Sequence, residues 1–141
     1  MKNILLSILA IIAGWFIGGF VNMTFVNLGY KLFPMTGVNV NDFKALAEAF
    51  STADFTHFIF PFLAHALGTL VGAFIAALIA PLHKMKFAYA IGFLFFVGGI
   101  IACFMIPAPI WFIILDLVVA YIPMAYLGGK SALTYSRKKS N

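Results

Sequence analysis

The sequence predicts an all-α, polytopic membrane protein: four transmembrane helices, with a short amphipathic helix in the first external loop. Three observations carry that prediction. Hydrophobic residues make up 64% of the chain and charged residues 9%, where soluble chains hold about 45–50% and about 25%. The apolar residues gather in four stretches, each long enough to supply the roughly 20 residues of a membrane-spanning helix. Those stretches are continuous rather than alternating, which excludes a closed β-barrel. A soluble fold of 141 residues cannot hide such a composition, because small folds leave a large share of their area wet. A single cysteine, Cys103, excludes a disulfide scaffold.

The whole chain, residues 1–141, reads as one four-helix domain, with spans at about 4–30, 58–82, 87–106 and 110–129. The first span begins right after Lys2. Its apolar run continues through Trp15, Phe16 and Phe20 with no polar cleavage region, so it reads as a retained anchor and not as a removed signal. Trp15 falls near mid-membrane, where a core or lipid-facing position is the first expectation and a pocket wall the second.

The external loop covers residues 31–57. Pro34 and Gly37 break the chain after the first span. Asn39 or Asn41 is the expected cap of a short helix. In it Phe43, Leu46, Ala47 and Phe50 share one face, while Lys44 and Glu48 lie opposite. Such a helix lies in the headgroup layer or folds over the bundle as a lid. Ser51-Thr52-Ala53-Asp54 reads as a capping box opening the second span. Pro61 should bend that span and Pro81 should end it. Pro123 should bend the fourth.

Charge sets the expected orientation. Lys2, the Lys84-Met85-Lys86 turn, and Lys130, Arg137, Lys138 and Lys139 in the tail of residues 130–141 carry seven positive charges and no acid. The first loop carries Lys31 and Lys44 against Asp42, Glu48 and Asp54, a net of −1. The positive-inside rule then places both termini in the cytoplasm, in a bacterial inner membrane. The overall charge of +5 belongs to these helix ends, which suits contact with anionic lipid rather than nucleic acid. Tyr30 and Trp111 fall at one boundary, Tyr89 and Tyr126 at the other, as an aromatic belt does.

In lipid, helices associate by close packing and polar contacts. The second span carries Ala64, Gly68, Gly72, Ala76 and Ala80 at four-residue spacing. The first repeats the pattern with Ala10, Gly14 and Gly18, and Asn22 continues the row. The third offers Ala88 with Gly92, and Gly98 with Ala102. These ridges join the first and second spans within one chain, or one of them faces a second subunit. A homo-oligomer or a larger membrane complex is therefore a candidate assembly.

Ionisable residues inside spans carry a functional hypothesis by default. Here they are His65 and Asp116. Counting inward from the external face at about 1.5 Å per residue puts His65 and Asn22 roughly 12 Å deep and Asp116 roughly 10 Å deep. Three helices thus bring polar side chains to one layer, and Gly98-Gly99 of the third span leaves room there. Thr69 lies one turn below His65, and His57 and Asn27 lie on the route outward. An Asp116–His65 pair braced by Asn22 can relay a proton, bind a cation or orient a polar substrate group. A hydrogen-bonded network that only fixes helix register is the competing reading. No cofactor is implied. His57 and His65 are two turns apart on one helix and cannot grip one haem iron, and His65 with Asp116 gives too few ligands for a metal. Cys103 stands alone among apolar neighbours and reads as inert.

The stretches His65-Ala66-Leu67-Gly68-Thr69-Leu70-Val71-Gly72, Ile106-Pro107-Ala108-Pro109-Ile110-Trp111-Phe112 and Pro123-Met124-Ala125-Tyr126-Leu127-Gly128-Gly129-Lys130 resemble a family of small, uncharacterised four-helix bacterial membrane proteins. The resemblance implies the four-span fold and no activity. The chain differs from the four-helix multidrug exporters, whose first span carries a membrane-embedded glutamate, since residues 4–30 hold no acid. The leading functional expectation is a small membrane protein with a polar pocket in the outer leaflet, acting in transport or proton-linked binding. The second is a non-catalytic subunit of a larger membrane complex. The third is a membrane-embedded enzyme acting on a lipid-soluble substrate.

Overall fold

Apolar segments that cannot hydrogen-bond to lipid must satisfy their backbone internally, and helices do so. The computed structural model describes residues 1–39 and 41–140, and no strand occurs among them. Six helices follow in order: α1 (Lys2–Leu32), α2 (Phe43–Ser51), α3 (Thr56–Ile79), α4 (Lys84–Met105), α5 (Ile110–Val119) and α6 (Ile122–Ser140). Four helical runs are long and apolar enough to cross a membrane: α1, α3, α4, and α5 with α6 taken as one run.

The fourth span is thus two helices, separated at Ala120–Tyr121. Pro123 explains the break. It has no N–H to bond the carbonyl of Val119, and its ring would crowd that carbonyl in a continuous helix. Helical bonding survives on each side, from Ala120 N to Asp116 O and from Ala125 N to Tyr121 O. Residues expected as a tail after 129 continue α6 as far as Ser140.

The row of small residues on α1 lies on the row of α3. A Cβ at Gly14 would stand 2.7 Å from the Gly72 carbonyl oxygen, and one at Gly18 would stand 2.6 Å from that of Gly68. From the other side, a Cβ at Gly72 would stand 2.6 Å from the Gly14 carbonyl oxygen. Only glycine permits so close an approach of the two backbones. The ridge therefore joins α1 to α3 within one chain. Ala64, Ala76 and Ala80 are buried along the same row. The other faces of α3 pack on α4 and α6, so α3 is the central helix, while α1 barely meets α4. Gly92 of α4 lies against Ala125 of α6, and Gly129 of α6 lies against Met85 and Ala88 of α4.

The turns differ from expectation in two places. Asp42, not Asn39 or Asn41, caps α2, its carboxylate accepting from the N–H groups of Lys44 at 3.0 Å and Ala45 at 3.3 Å. The Ser51–Asp54 capping box does not form. Ser51 Oγ instead donates to Glu48 O at 2.7 Å, closing α2, and α3 begins at Thr56 with no side-chain cap. Pro61 lies inside a continuous α3, whose last residue is Ile79, just ahead of Pro81. Lys84 Nζ donates to Ala77 O at 2.9 Å and Leu78 O at 3.0 Å, satisfying end carbonyls of α3.

α2 covers one end of the bundle. Leu46 and Phe50 are buried against Phe58 and Phe112, with the Phe50–Phe58 and Phe58–Phe112 ring centroids 5.6 and 4.9 Å apart. Phe43, expected on that apolar face, is instead exposed. It stands at the start of α2, a turn before the residues that reach the core.

Candidate functional site

His65 sits on α3 next to Ala64 of the row of small residues. Asp116 belongs to the last turns of α5. The Nδ1 of His65 lies 2.9 Å from both Oδ1 and Oδ2 of Asp116. A third residue, which the sequence did not single out, joins them. Tyr121, in the break between α5 and α6, donates its hydroxyl to Asp116 Oδ2 at 2.8 Å, and the hydroxyl oxygen lies 3.0 Å from His65 Nδ1. Asp116 is 2% exposed and Tyr121 1%, whereas the His65 side chain is 22% exposed.

The hydrogen-bond roles follow from chemistry. With Asp116 as a carboxylate, which only accepts, Nδ1 of His65 is the atom that carries the hydrogen facing it. The carboxylate then holds the imidazole in one tautomer and one orientation, as a partner on the second nitrogen does. Nε2 is left as the ring's remaining polar atom, and it has no hydrogen-bond partner among the described residues.

The other expected participants stand apart from this cluster. Asn22 does not brace the pair. It lies across a groove from it, and its carboxamide makes no hydrogen bond among the described residues. Thr69 is fully buried, with Oγ1 unpartnered there. His57 belongs to a separate small cavity beside Tyr30 and Pro61, packed edge-on against Phe33, with its buried Nδ1 also unpartnered. Gly98 and Gly99, expected together to leave room, differ. Gly98 faces open space, while the space beside Gly99 is filled by the Tyr121 hydroxyl. Trp15 is exposed on α1 and also borders the groove.

Two cavities meet at the His65 ring. One, of about 150 Å³, lies beneath α2 and is lined by Tyr30, Phe50, Phe58 and Phe112, with His65 and Asp116 among its walls. Cys103 also borders it. The other, of about 310 Å³, is the groove between α1 and α4, and Asn22, His65 and Tyr121 border it. His65 and Gly99 line both. The first cavity is mostly apolar and aromatic; besides the His65–Asp116 pair, Tyr30 and Cys103 are its lining residues with a polar side-chain group. Its volume matches that of cavities that accept a benzene-sized molecule, about 150 Å³.

Among the described residues, no group of three or more His, Cys, Asp or Glu side chains converges to hold a metal ion. No family model matches the chain, and neither a curated protein nor a solved structure matches it.

Proposed function

We propose that the chain is a multi-pass protein of the bacterial inner membrane, with both termini in the cytoplasm. It binds a small, ring-sized hydrogen-bond donor beneath α2 and links that binding to a proton on His65, as a proton-linked transporter requires. One observation carries this reading. The His65–Asp116 pair, the one ion pair inside the described spans, forms a polar wall of a mostly apolar cavity of about 150 Å³. The gathering of Lys2, Lys84, Lys86 and the Lys130–Lys139 bases at the ends opposite α2 supports the orientation.

The chemistry runs through three side chains. A ligand O–H or N–H faces His65 Nε2 and donates to it. Transfer of that proton makes an imidazolium whose Nδ1–H is already held by Asp116, so the new charge forms next to a fixed counter-charge. Such preorganisation costs no rearrangement when the charge appears. Tyr121 holds Asp116 Oδ2 in place and keeps the carboxylate from turning away. His65 borders both cavities, so a proton taken from one side has an exit on the other.

Phenol is the probe, being one ring with one donor. Phenol should raise the unfolding temperature of the purified protein, and transfer of its proton to His65 should shift the ultraviolet absorption of the bound phenol toward that of phenolate. Asp116→Asn should abolish both responses. Failure of phenol to stabilise the natural protein, or equal stabilisation of Asp116→Asn, overturns the reading.

A further inference from the structure

The groove between α1 and α4 has its own lining, and its polar and apolar parts are separated. α1 rests on α3 and scarcely touches α4, leaving a wedge of about 310 Å³. Two glycines face this wedge, Gly19 from α1 and Gly98 from α4, and a Cβ at either would meet nothing within 4 Å. The mouth is apolar, with Trp15, Met23 and Leu94 all exposed on the lipid-facing side. The floor is polar, formed by Asn22, His65 and Tyr121.

Asn22 lies ten residues before the end of α1, roughly 15 Å along the helix axis from the α2 end. A carboxamide at that depth without a partner is costly in hydrocarbon. A phospholipid acyl chain filling the groove would leave it unpaired, and phospholipid headgroups stay at the interface, too far away to reach it. An occupant that fits therefore carries its polar group deep into the groove.

We propose that this groove is a second binding site, entered sideways from the bilayer, for a lipid-soluble molecule with a hydroxyl-bearing head and one apolar tail. The head hydroxyl donates to His65 Nε2 or to the Asn22 amide oxygen and accepts from the Asn22 amide N–H. The tail runs along α1 from Asn22 past Gly19 toward Trp15, seven residues or roughly 10 Å away. The site shares the His65 ring with the cavity beneath α2 and otherwise rests on different residues.

The chain has two tryptophans, Trp15 and Trp111, and only Trp15 borders the groove. In a Trp111→Phe variant embedded in a bilayer, quenching of Trp15 by 4-(6-bromohexyl)phenol reports an occupied groove. The control is (6-bromohexyl)benzene, which lacks only the hydroxyl. The phenol should quench at about a tenfold lower mole fraction in the bilayer, the effect of a hydrogen bond made in an apolar site. Asn22→Leu should remove most of that preference. Gly98→Leu, which places a side chain in open space, should raise the required amount of the phenol about tenfold by filling the groove. Equal quenching by the two compounds, or a preference untouched by Asn22→Leu, overturns the proposal. The groove is tested by Trp15 quenching and its dependence on Asn22, the α2 cavity by phenol stabilisation and its dependence on Asp116, so either reading can fail while the other stands.

Discussion

Tyr121 and Asp116 are five residues apart in the chain, yet the tyrosine hydroxyl lies 2.8 Å from the aspartate carboxylate. In an unbroken α-helix, positions five apart point roughly 140° away from one another. The break at Ala120–Tyr121, next to Pro123, turns Tyr121 back toward the carboxylate. Asp116 thereby gains a second donor, and His65 gains a neighbour that fills the space beside Gly99.

Tyr121→Phe keeps the ring and deletes this hydroxyl. The variant should lose about 2 kcal/mol, the scale of a hydrogen bond to a charged group. Chemical unfolding in a mild detergent measures it. A change under about 0.5 kcal/mol would mean that the hydroxyl contributes nothing to holding Asp116, since surface-like substitutions fall in that range.

His65 and Asp116 should behave as one unit. Removing one partner of a buried pair costs about 3–5 kcal/mol, because the other is left uncompensated, whereas removing both is far milder. His65→Leu and Asp116→Asn should each destabilise, and the double variant should recover part of the loss while remaining unresponsive to phenol. Strictly additive losses would show that the two groups are not coupled.

The interface of α1 with α3 should tolerate no side chain at Gly72. Its Cβ alone would press on the Gly14 carbonyl oxygen at 2.6 Å. Gly72→Leu should cost about 1–3 kcal/mol or more. Phe104→Ala is the matched control, since Phe104 is 87% exposed. Leu78 is unsuitable as a control because it packs on the buried cluster around Ala76 and Ala77. Equal thermal stability of the two variants would argue against close helix approach as the main adhesive.

Asp42→Ala removes the cap of α2 and should weaken that helix by about 1 kcal/mol. Because α2 roofs the cavity bordered by Cys103, loosening it should speed labelling of the thiol by a small neutral maleimide. An unchanged labelling rate would show that the reagent reaches Cys103 by another route.

Both termini should report from the cytoplasm. A fusion after residue 141 should be fluorescent with a cytoplasmic reporter and inactive with alkaline phosphatase. Strong phosphatase activity would invert the topology drawn from the charge distribution.

The number of membrane-length helices follows from the order of residues, because each continuous apolar run leaves the backbone no option but to bond within itself. The ridge on α3 was legible as well, since four-residue spacing of glycine and alanine is a one-dimensional pattern, but whether it faced the first span or a second subunit was decided by the fold, where Gly14 and Gly18 meet Gly68 and Gly72. His65 and Asp116 were legible as candidates because ionisable side chains are rare in spans, and simple depth counting put them in one layer. Tertiary structure decided the rest. Helix rotation and splay separate Asn22 from the pair by a groove, and depth along an axis carries no information about either. Tyr121 was hidden because an unbroken helix would turn it away from Asp116. Asp42 capped α2 in place of Asn39 or Asn41 because only the folded turn fixes which carboxylate or amide meets the first free N–H groups. The two cavities were also invisible in the sequence, since an empty volume is set by how far α1 and α4 diverge, and no single residue encodes that distance.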